Sequence, residues 1–491
     1  MQFNNIPANL RVPLFFAELD PRFANTAAPA QRTLLIGQIT GSATLVANTP
    51  TRVISASDGM AAAGAGSILA GMIAAYRLND PTGELWVLPL ADNGAGAAAT
   101  GSVAFTGPAT AAGTLPIYVA GQNLAVGVSV GDTASTIATN VAAAINAAGL
   151  PVTAATSTGT VNLTARNKGL AGNDIDVRMA YLGTAGGESV PAGVGVTVTA
   201  MASGATNPTL TSGLTALGDQ GFDFIVTSLT DSTSLNAIQA LLADSTGRWS
   251  STQQLYGHAF AASRGTAGAA ASLCSGRNDQ HLTIVAYNDS PTPSWAWAAG
   301  FAGRAANSLR DDPALPLQYL AVAGVLAPPI ASRFTMPVRN STLLYSGATT
   351  WFVDANGAVT IENMVTTYVT NAQGAPDNSY LEIETMFTLM YVMRFLRGRV
   401  QTKFSRVKLA ADGVRLLPNS NVVTPNVIRA DIIAAYRELE EAGFVQKSAA
   451  FAAGLIVEKD ATNPNRVNVL WPGTLIDQLR QFAMLIQFRL I

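Results

Sequence analysis

Short, continuously apolar runs alternate with one-faced apolar stripes along much of the chain, and this alternation sets the expected fold. Thr33-Leu34-Leu35-Ile36-Gly37 is apolar throughout, the mark of a strand covered on both faces. Between Asp58 and Arg77 no charge occurs, and Ile68, Leu69, Met72, Ile73 and Tyr76 fall on one helical face. The spacing predicts a helix there, capped by Ser57 or Asp58, with Gly64-Ala65-Gly66 inside it as a close-packing site. Glu84-Leu85-Trp86-Val87-Leu88-Pro89-Leu90 supplies a second strand, so the chain opens as a βαβ unit with a right-handed crossover and a parallel sheet. The pattern resumes after residue 220. It predicts strands over 222–227, 255–261 and 281–286, with helices over 231–242, 266–276 and 295–309, the last ended by Asp311-Asp312-Pro313. Repeated βα units of this length imply an α/β core, doubly wound in three layers.

Two stretches depart from that pattern. Residues 92–207 are rich in Gly, Ala, Thr and Val, with β-like runs over 160–165, 174–179 and 194–198. One helix is predicted among them over 133–148, capped by Asp132 or Thr133, with Ile137, Val141 and Ile145 on one face and Gly149 and Pro151 as its stop. This stretch reads as a mostly β domain inserted into a loop of the first, dividing the core into 21–91 and 208–330. Residues 331–475 read as an α+β C-terminal domain, with a β-ribbon over 359–368 and a strand over 467–471. Long helices are predicted over 379–404 and 425–443. The first carries Arg394, Arg397, Arg399 and Lys403 toward its C-terminal end, where cations complement the helix dipole. The second carries Arg429 and Arg437 on its polar side.

Both ends read as extended arms, over 1–20 and 476–491. In the first, Pro7 and Pro13 each remove a backbone donor, which suits an edge strand, and Val12, Leu14, Phe15 and Phe16 supply its apolar side chains. In the second, Phe482, Met484, Ile486, Phe488 and Leu490 project to one side of a strand. Ala483, Leu485, Gln487 and Arg489 project to the other. Such an edge aggregates unless it is paired, and an internal strand of the same chain would satisfy it as well as a neighbour's sheet. The second apolar arm at the opposite end shifts the balance toward strands donated between copies.

Composition narrows the function classes. Hydrophobic residues make up 48% of the 491 and charged residues 12%, about half the roughly 25% of an ordinary soluble domain. A surface mostly covered by further copies of the chain needs no more charge than that. The balance of 29 Lys+Arg against 31 Asp+Glu excludes a direct nucleic-acid binder, which needs a basic face, and the apolar content excludes disorder. One cysteine, Cys274, builds neither a disulfide framework nor a CxxC metal site. No signal peptide is read at residues 1–7, and the uncharged stretch after Asp58 fits a buried helix better than membrane insertion, so a cytoplasmic origin is expected. The chain has no P-loop, complete GxGxxG, GxSxG or HExxH motif. His258 and His281, with Ser275 and Asp279 nearby in sequence, are the residues a serine hydrolase would use, but nothing local supplies the sharp nucleophile turn. No cofactor or metal is expected.

The stretches Leu10-Arg11-Val12-Pro13-Leu14-Phe15-Phe16-Ala17-Glu18-Leu19-Asp20, Gln31-Arg32-Thr33-Leu34-Leu35-Ile36-Gly37, Asn307-Ser308-Leu309-Arg310-Asp311-Asp312-Pro313-Ala314-Leu315-Pro316-Leu317-Gln318, Arg339-Asn340-Ser341-Thr342-Leu343-Leu344-Tyr345-Ser346-Gly347, Asp377-Asn378-Ser379-Tyr380-Leu381-Glu382 and Lys408-Leu409-Ala410-Ala411-Asp412-Gly413 run in order along most of the chain. Together they resemble the tail sheath proteins of Mu-like contractile-tailed bacteriophages. The resemblance implies a structural subunit of the virion tail, assembled in the host bacterial cytoplasm. Its copies would stack as hexameric rings in a helical array around a tail tube and contract to drive the tube through the host envelope. It further implies strand exchange through the terminal arms, and partners in the tube protein, a baseplate and a tail terminator. The C-terminal domain would lie toward the tube, making Arg394, Arg397, Arg399, Lys403, Arg429 and Arg437 candidate tube-facing charges, and the inserted domain would face outward. The family's core is subtilisin-like, yet no triad can be matched here. The competing expectations are an α/β serine hydrolase and another self-assembling tail or surface-array protein.

Overall fold

A computed structural model describes residues 31–414 and 421–490. The expected N-terminal arm, with Val12, Leu14, Phe15 and Phe16, lies outside the described residues.

β1 (Thr33–Gln38) is buried at every position. After it come β2 (Thr51–Val53), α1 (Ala56–Ala63), α2 (Ile68–Asn79) and β3 (Leu85–Leu90). β1 and β3 pair in parallel, as the opening βαβ pattern predicts. The uncharged stretch, however, forms two helices rather than one. Gly64 and Gly66 hold φ of +89° and +73°, a region that side chains with a Cβ rarely adopt, and a Cβ on Gly64 would sit 2.0 Å from Thr40 Oγ1. The glycines therefore turn the chain instead of packing a continuous helix. Ser55 and Ser67 serve as the caps, accepting from the backbone N–H of Asp58 and Ala70.

Next come β4 (Ala98–Thr106), β5 (Gly113–Val119), β6 (Gln122–Val128), α3 (Ala134–Ala147), β7 (Val152–Ser157), β8 (Thr160–Lys168), β9 (Val177–Met179) and β10 (Gly195–Ala202). They make two sheets, ordered β10-β4-β8-β7 and β6-β5-β9. Thr133 caps α3, which buries Ile137, Val141 and Ile145. The strand predicted over 174–179 is shorter, because residues 170–174 form a 3-10 turn that delivers Asp174 to the Ser294 hydroxyl at 2.6 Å. This unit is docked on the first by buried and partly buried polar contacts. Asp92 accepts from Gln38 Nε2 at 2.6 Å and from Lys168 N at 3.0 Å, and Asn167 Oδ1 accepts the Ile68 N–H at 3.0 Å. Asp176 pairs with Arg264 at 3.0 Å.

The chain then returns through α4 (Thr211–Ala216), β11 (Phe224–Thr227), α5 (Ser232–Leu242), β12 (His258–Arg264), α6 (Ala267–Ser275), β13 (Leu282–Tyr287), α7 (Ser294–Asp311), α8 (Met336–Val338), β14 (Ala348–Val353) and β15 (Val359–Asn363). One eight-stranded sheet results, ordered β15-β14-β13-β12-β11-β1-β3-β2. Its pairings from β14 to β3 are parallel, and the edge strands β15 and β2 run antiparallel. Neighbouring residues of each strand feed different cores. Leu35, Phe224, Val226 and Phe260 pack with α2 and α7, whereas Leu34, Ile36, Ile225 and Ala259 pack with Leu235 and Ile238 of α5 and Cys274 of α6. The sheet continues beyond residue 330, where sequence pattern placed a boundary. The ribbon expected over 359–368 is β15, closing the edge of this sheet against β14.

The last elements are α9 (Ile383–Phe404), β16 (Lys408–Leu409), β17 (Val422–Val423), α10 (Pro425–Glu441), β18 (Val445–Gln446), α11 (Ser448–Gly454), β19 (Ile456–Lys459), β20 (Val467–Leu470) and β21 (Thr474–Leu475). Their own core gathers Val392, Ile428, Ile432, Leu439 and Phe451, with the Tyr436 and Phe451 rings stacked at 3.7 Å. α9 belongs to both bodies. Its first half packs Phe387 on Phe224, with ring centroids 4.7 Å apart, and its second half packs on α10.

Candidate assembly interface

The C-terminal segment is held by the body up to Arg480 and released after it. β21 pairs with β18, the Ile476 N–H donates to Phe444 O at 3.1 Å, and Gln446 Nε2 donates to Asp477 Oδ2 at 2.8 Å. Gln318 Nε2 reaches Leu479 O at 3.0 Å. Arg480 Nη2 then donates to Glu384 Oε2 at 2.8 Å, Glu382 Oε2 at 2.9 Å and Gln478 Oε1 at 2.6 Å. The Glu384 side chain is fully buried, and its other oxygen accepts the Leu317 N–H at 2.8 Å. Burial pushes the Glu382 carboxyl up, and the Arg480 guanidinium pulls it partly back.

Among the described residues, nothing hydrogen-bonds to 481–490, and this segment forms no strand. Phe482, Met484, Ile486, Phe488 and Leu490 are 67–89% exposed, and Leu485 on the opposite face is 85% exposed. An apolar ribbon of this kind, its backbone donors and acceptors unbonded among the described residues, is a template for pairing with another chain. The same body also offers an incomplete sheet. β19 and β20 form a two-stranded antiparallel hairpin with no third strand among the described residues, and Ile456, Val469 and Leu470 on it are exposed. Two strands alone make a marginal sheet, and added strands complete it.

The six cations singled out in sequence are not equivalent. Arg394 is turned into the body, where it pairs with the buried Asp223, whose other oxygen accepts the Arg32 N–H at 3.0 Å. Arg399 makes a two-pronged bond to Asp431 at 2.9 and 3.0 Å and a third to Glu438 at 2.6 Å. Lys403 also pairs with Asp431. Burial by itself would raise the Asp431 carboxyl, but these two cations hold it below the usual carboxylate range. Arg429 donates to the Leu455 and Ala452 carbonyls at the end of α11. Arg397 and Arg437 are exposed, with no ion pair among the described residues.

The residues a hydrolase would need are not brought together. Ser275 Oγ donates to Ala271 O of its own helix at 2.8 Å and bonds to neither histidine. His258 is completely buried, contacts Thr283 Oγ1 at 2.9 Å, and is held neutral by desolvation well below its ordinary pKa. His281 contacts Asp244 Oδ1 at 2.8 Å and lies against the Trp249 ring. Burial pushes the Cys274 thiol up to about 12, so it is no nucleophile. Among the described residues no group of His, Cys, Asp and Glu has the arrangement of a metal site, and no helix is long and apolar enough to cross a membrane.

Sequence reasoning missed the grip of Glu382 and Glu384 on Arg480. Two carboxylates at the start of a helix and one arginine before an apolar tail are visible in the sequence, but the partners lie 96 and 98 residues apart and nothing local pairs them.

Comparison with known proteins bears on this arrangement. Residues 203–367 match the family model for the phage tail sheath protein central domain, and residues 375–489 match that for the phage tail sheath C-terminal domain. The chain is 40% identical over 491 residues to the Mu-like prophage FluMu tail sheath protein of Haemophilus influenzae, covering 99% of each chain. It also shares a fold with the sheath chain of an extracellular contractile injection system (PVC) in its contracted state. There the TM-score is 0.50 at 10% identity, over 99% of this chain and 98% of the other.

Proposed function

This chain belongs to the phage tail sheath family, and from that premise we propose that its copies stack as hexameric rings around a tail tube, each joined to the next by strands donated from the terminal arms. It is a structural component of a contractile phage tail, part of the virion, and not an enzyme. The observation that carries the finer reading is the segment 481–490, apolar on one face and with no partner strand among the described residues. The β19–β20 hairpin is the acceptor on the next copy, because it offers free edges and exposed apolar side chains.

In this reading the α/β core, with helices on both faces of the eight-stranded sheet, is the doubly wound body of each subunit. The unit built on β4–β10 faces outward, and the α9–α10 side faces the tube. Arg397 and Arg437 are then the cations available to the tube protein, since Arg394, Arg399, Lys403 and Arg429 are engaged inside the chain. Baseplate and tail-terminator proteins meet the array at its two ends. Assembly occurs in the host cytoplasm, and contraction drives the tube through the host envelope.

Electron microscopy of the purified protein tests this. Full-length chains form tubes with sixfold end views, and chains lacking 482–491 stay folded and monomeric. Full-length tubes from the truncated protein refute strand donation by this arm.

A further inference from the structure

The geometry points to Arg480 as the residue that positions the C-terminal arm: its grip on Glu382 and Glu384 sets the point at which the arm pivots and ties that point to α9 and, through α9, to the core sheet. The inference rests on the strand-donation reading and adds where the link between copies bends.

Three observations support it. Tethering of the C-terminal segment ends at Arg480, and from Gln481 onward no described residue holds it. The grip is made by one nitrogen, Nη2, shared among three acceptors, while Nε and Nη1 are buried without partners. Its strength therefore comes from two desolvated carboxylates facing one guanidinium rather than from a full set of hydrogen bonds. Finally, Glu384 lies in the first turn of α9, whose Arg394 pairs with Asp223 next to β11. One rigid helix thus joins the arm's root to the sheet.

The pivot also sets a length. Residues 481–490 reach roughly 33 Å when extended. If Arg480 lets go, the Gln318 bond to the Leu479 carbonyl at 3.0 Å is the next tether and the Gln446 bond to Asp477 the one after it. The pivot then retreats by one to three residues, and the arm lengthens by roughly 3–10 Å. A subunit whose arm is longer and leaves the body at a variable angle cannot hold its neighbour at one fixed distance.

Spin labels at Gln481→Cys and Gln487→Cys in the full-length monomer read the pivot, since the native thiol is buried and does not compete. In the parent chain position 481 is restricted and position 487 is fast. Arg480→Met raises the mobile fraction at 481 by about tenfold, leaves 487 unchanged, and lowers the thermal midpoint, because it leaves the buried Glu384 carboxylate without its cation, so the labels are read well below that midpoint. Arg480→Lys recovers part of the restriction. Tubes grown from the Met variant, with the arm's apolar face intact, vary in diameter and lose helical order. A 481 label as restricted in Arg480→Met as in the parent overturns the grip. A freed label together with tubes of parental diameter and order overturns its role in setting the link. If the parent chain itself forms no tubes, strand donation fails, and the label measurement still decides the grip.

Discussion

Ile486→Asp separates the arm's role in assembly from any role in folding. In the isolated chain Ile486 is 75% exposed and touches no core cluster, so the substitution changes folding stability by no more than about 0.5 kcal/mol. On the strand-donation reading, the same side chain is buried against a neighbour's sheet in the assembled state. Burying an isoleucine contributes about 1.5–3 kcal/mol, and a desolvated carboxylate in its place costs a few kcal/mol more. Counting only the lost apolar burial, each link weakens by about 2–3 kcal/mol, which raises the critical concentration for polymerisation roughly 100-fold. Sedimentation across a concentration series measures that shift, and thermal unfolding of the unpolymerised variant supplies the folding control. Gln487→Ala, on the other face of the strand, shifts the critical concentration far less. Parental polymerisation by Ile486→Asp refutes the arm's role. A monomer midpoint lowered as by a core substitution shows instead that the arm packs on its own body.

Other consequences follow from the body of the subunit. Arg394→Met takes the paired cation from the buried Asp223 carboxylate and leaves the Arg32 N–H as its one hydrogen-bond donor among the described residues, and urea unfolding registers a loss of about 3–5 kcal/mol. Gly64→Ala places a methyl at 2.0 Å from Thr40 Oγ1 at a φ of +89°, costing about 1–3 kcal/mol in the same assay, whereas Gly268→Ala, in open space, is neutral or slightly stabilising. His258 stays neutral in the folded chain and takes up a proton on unfolding once the pH falls below its ordinary value of about 6.5. The unfolded state then binds more protons, so stability declines toward acid by up to about 1.4 kcal/mol per pH unit, and His258→Phe flattens the melting-temperature profile between about pH 6.5 and 5.

Where sequence pattern was informative, local physics was sufficient. β1, β11 and β13 are covered on both faces and read as continuous apolar runs, and Thr133 and Asp231 begin helices where a short polar side chain precedes a one-faced stripe. The break at Gly64–Gly66 is hidden because apolar spacing continues across it, while the positive φ of both glycines and the Thr40 side chain packed against Gly64 decide the turn. β14 and β15 were assigned to the wrong body for a related reason, since joining β13 is a matter of long-range pairing that their own residues do not encode. The six cations show the same limit: charge was legible, and its consumption by Asp223, Asp431 and Glu438 was not.

The arm is the opposite case, and its legibility follows from what it lacks. An internal strand shares its constraints with the strands beside it, so its sequence is only part of the information that places it. Residues 482–490 alternate large apolar side chains on one face, carry no proline, and hold a single charge, at Arg489. Nothing in that stretch blunts an edge, and an unprotected strand is recognisable from its residues alone by that lack. The body grips the chain at Arg480, and among the described residues the next ten have no hydrogen-bond partner. A free apolar ribbon on an otherwise well-packed subunit is costly to solubility unless a second copy covers it, and on the strand-donation reading the grip, the ribbon and the β19–β20 hairpin are parts of one device for joining copies.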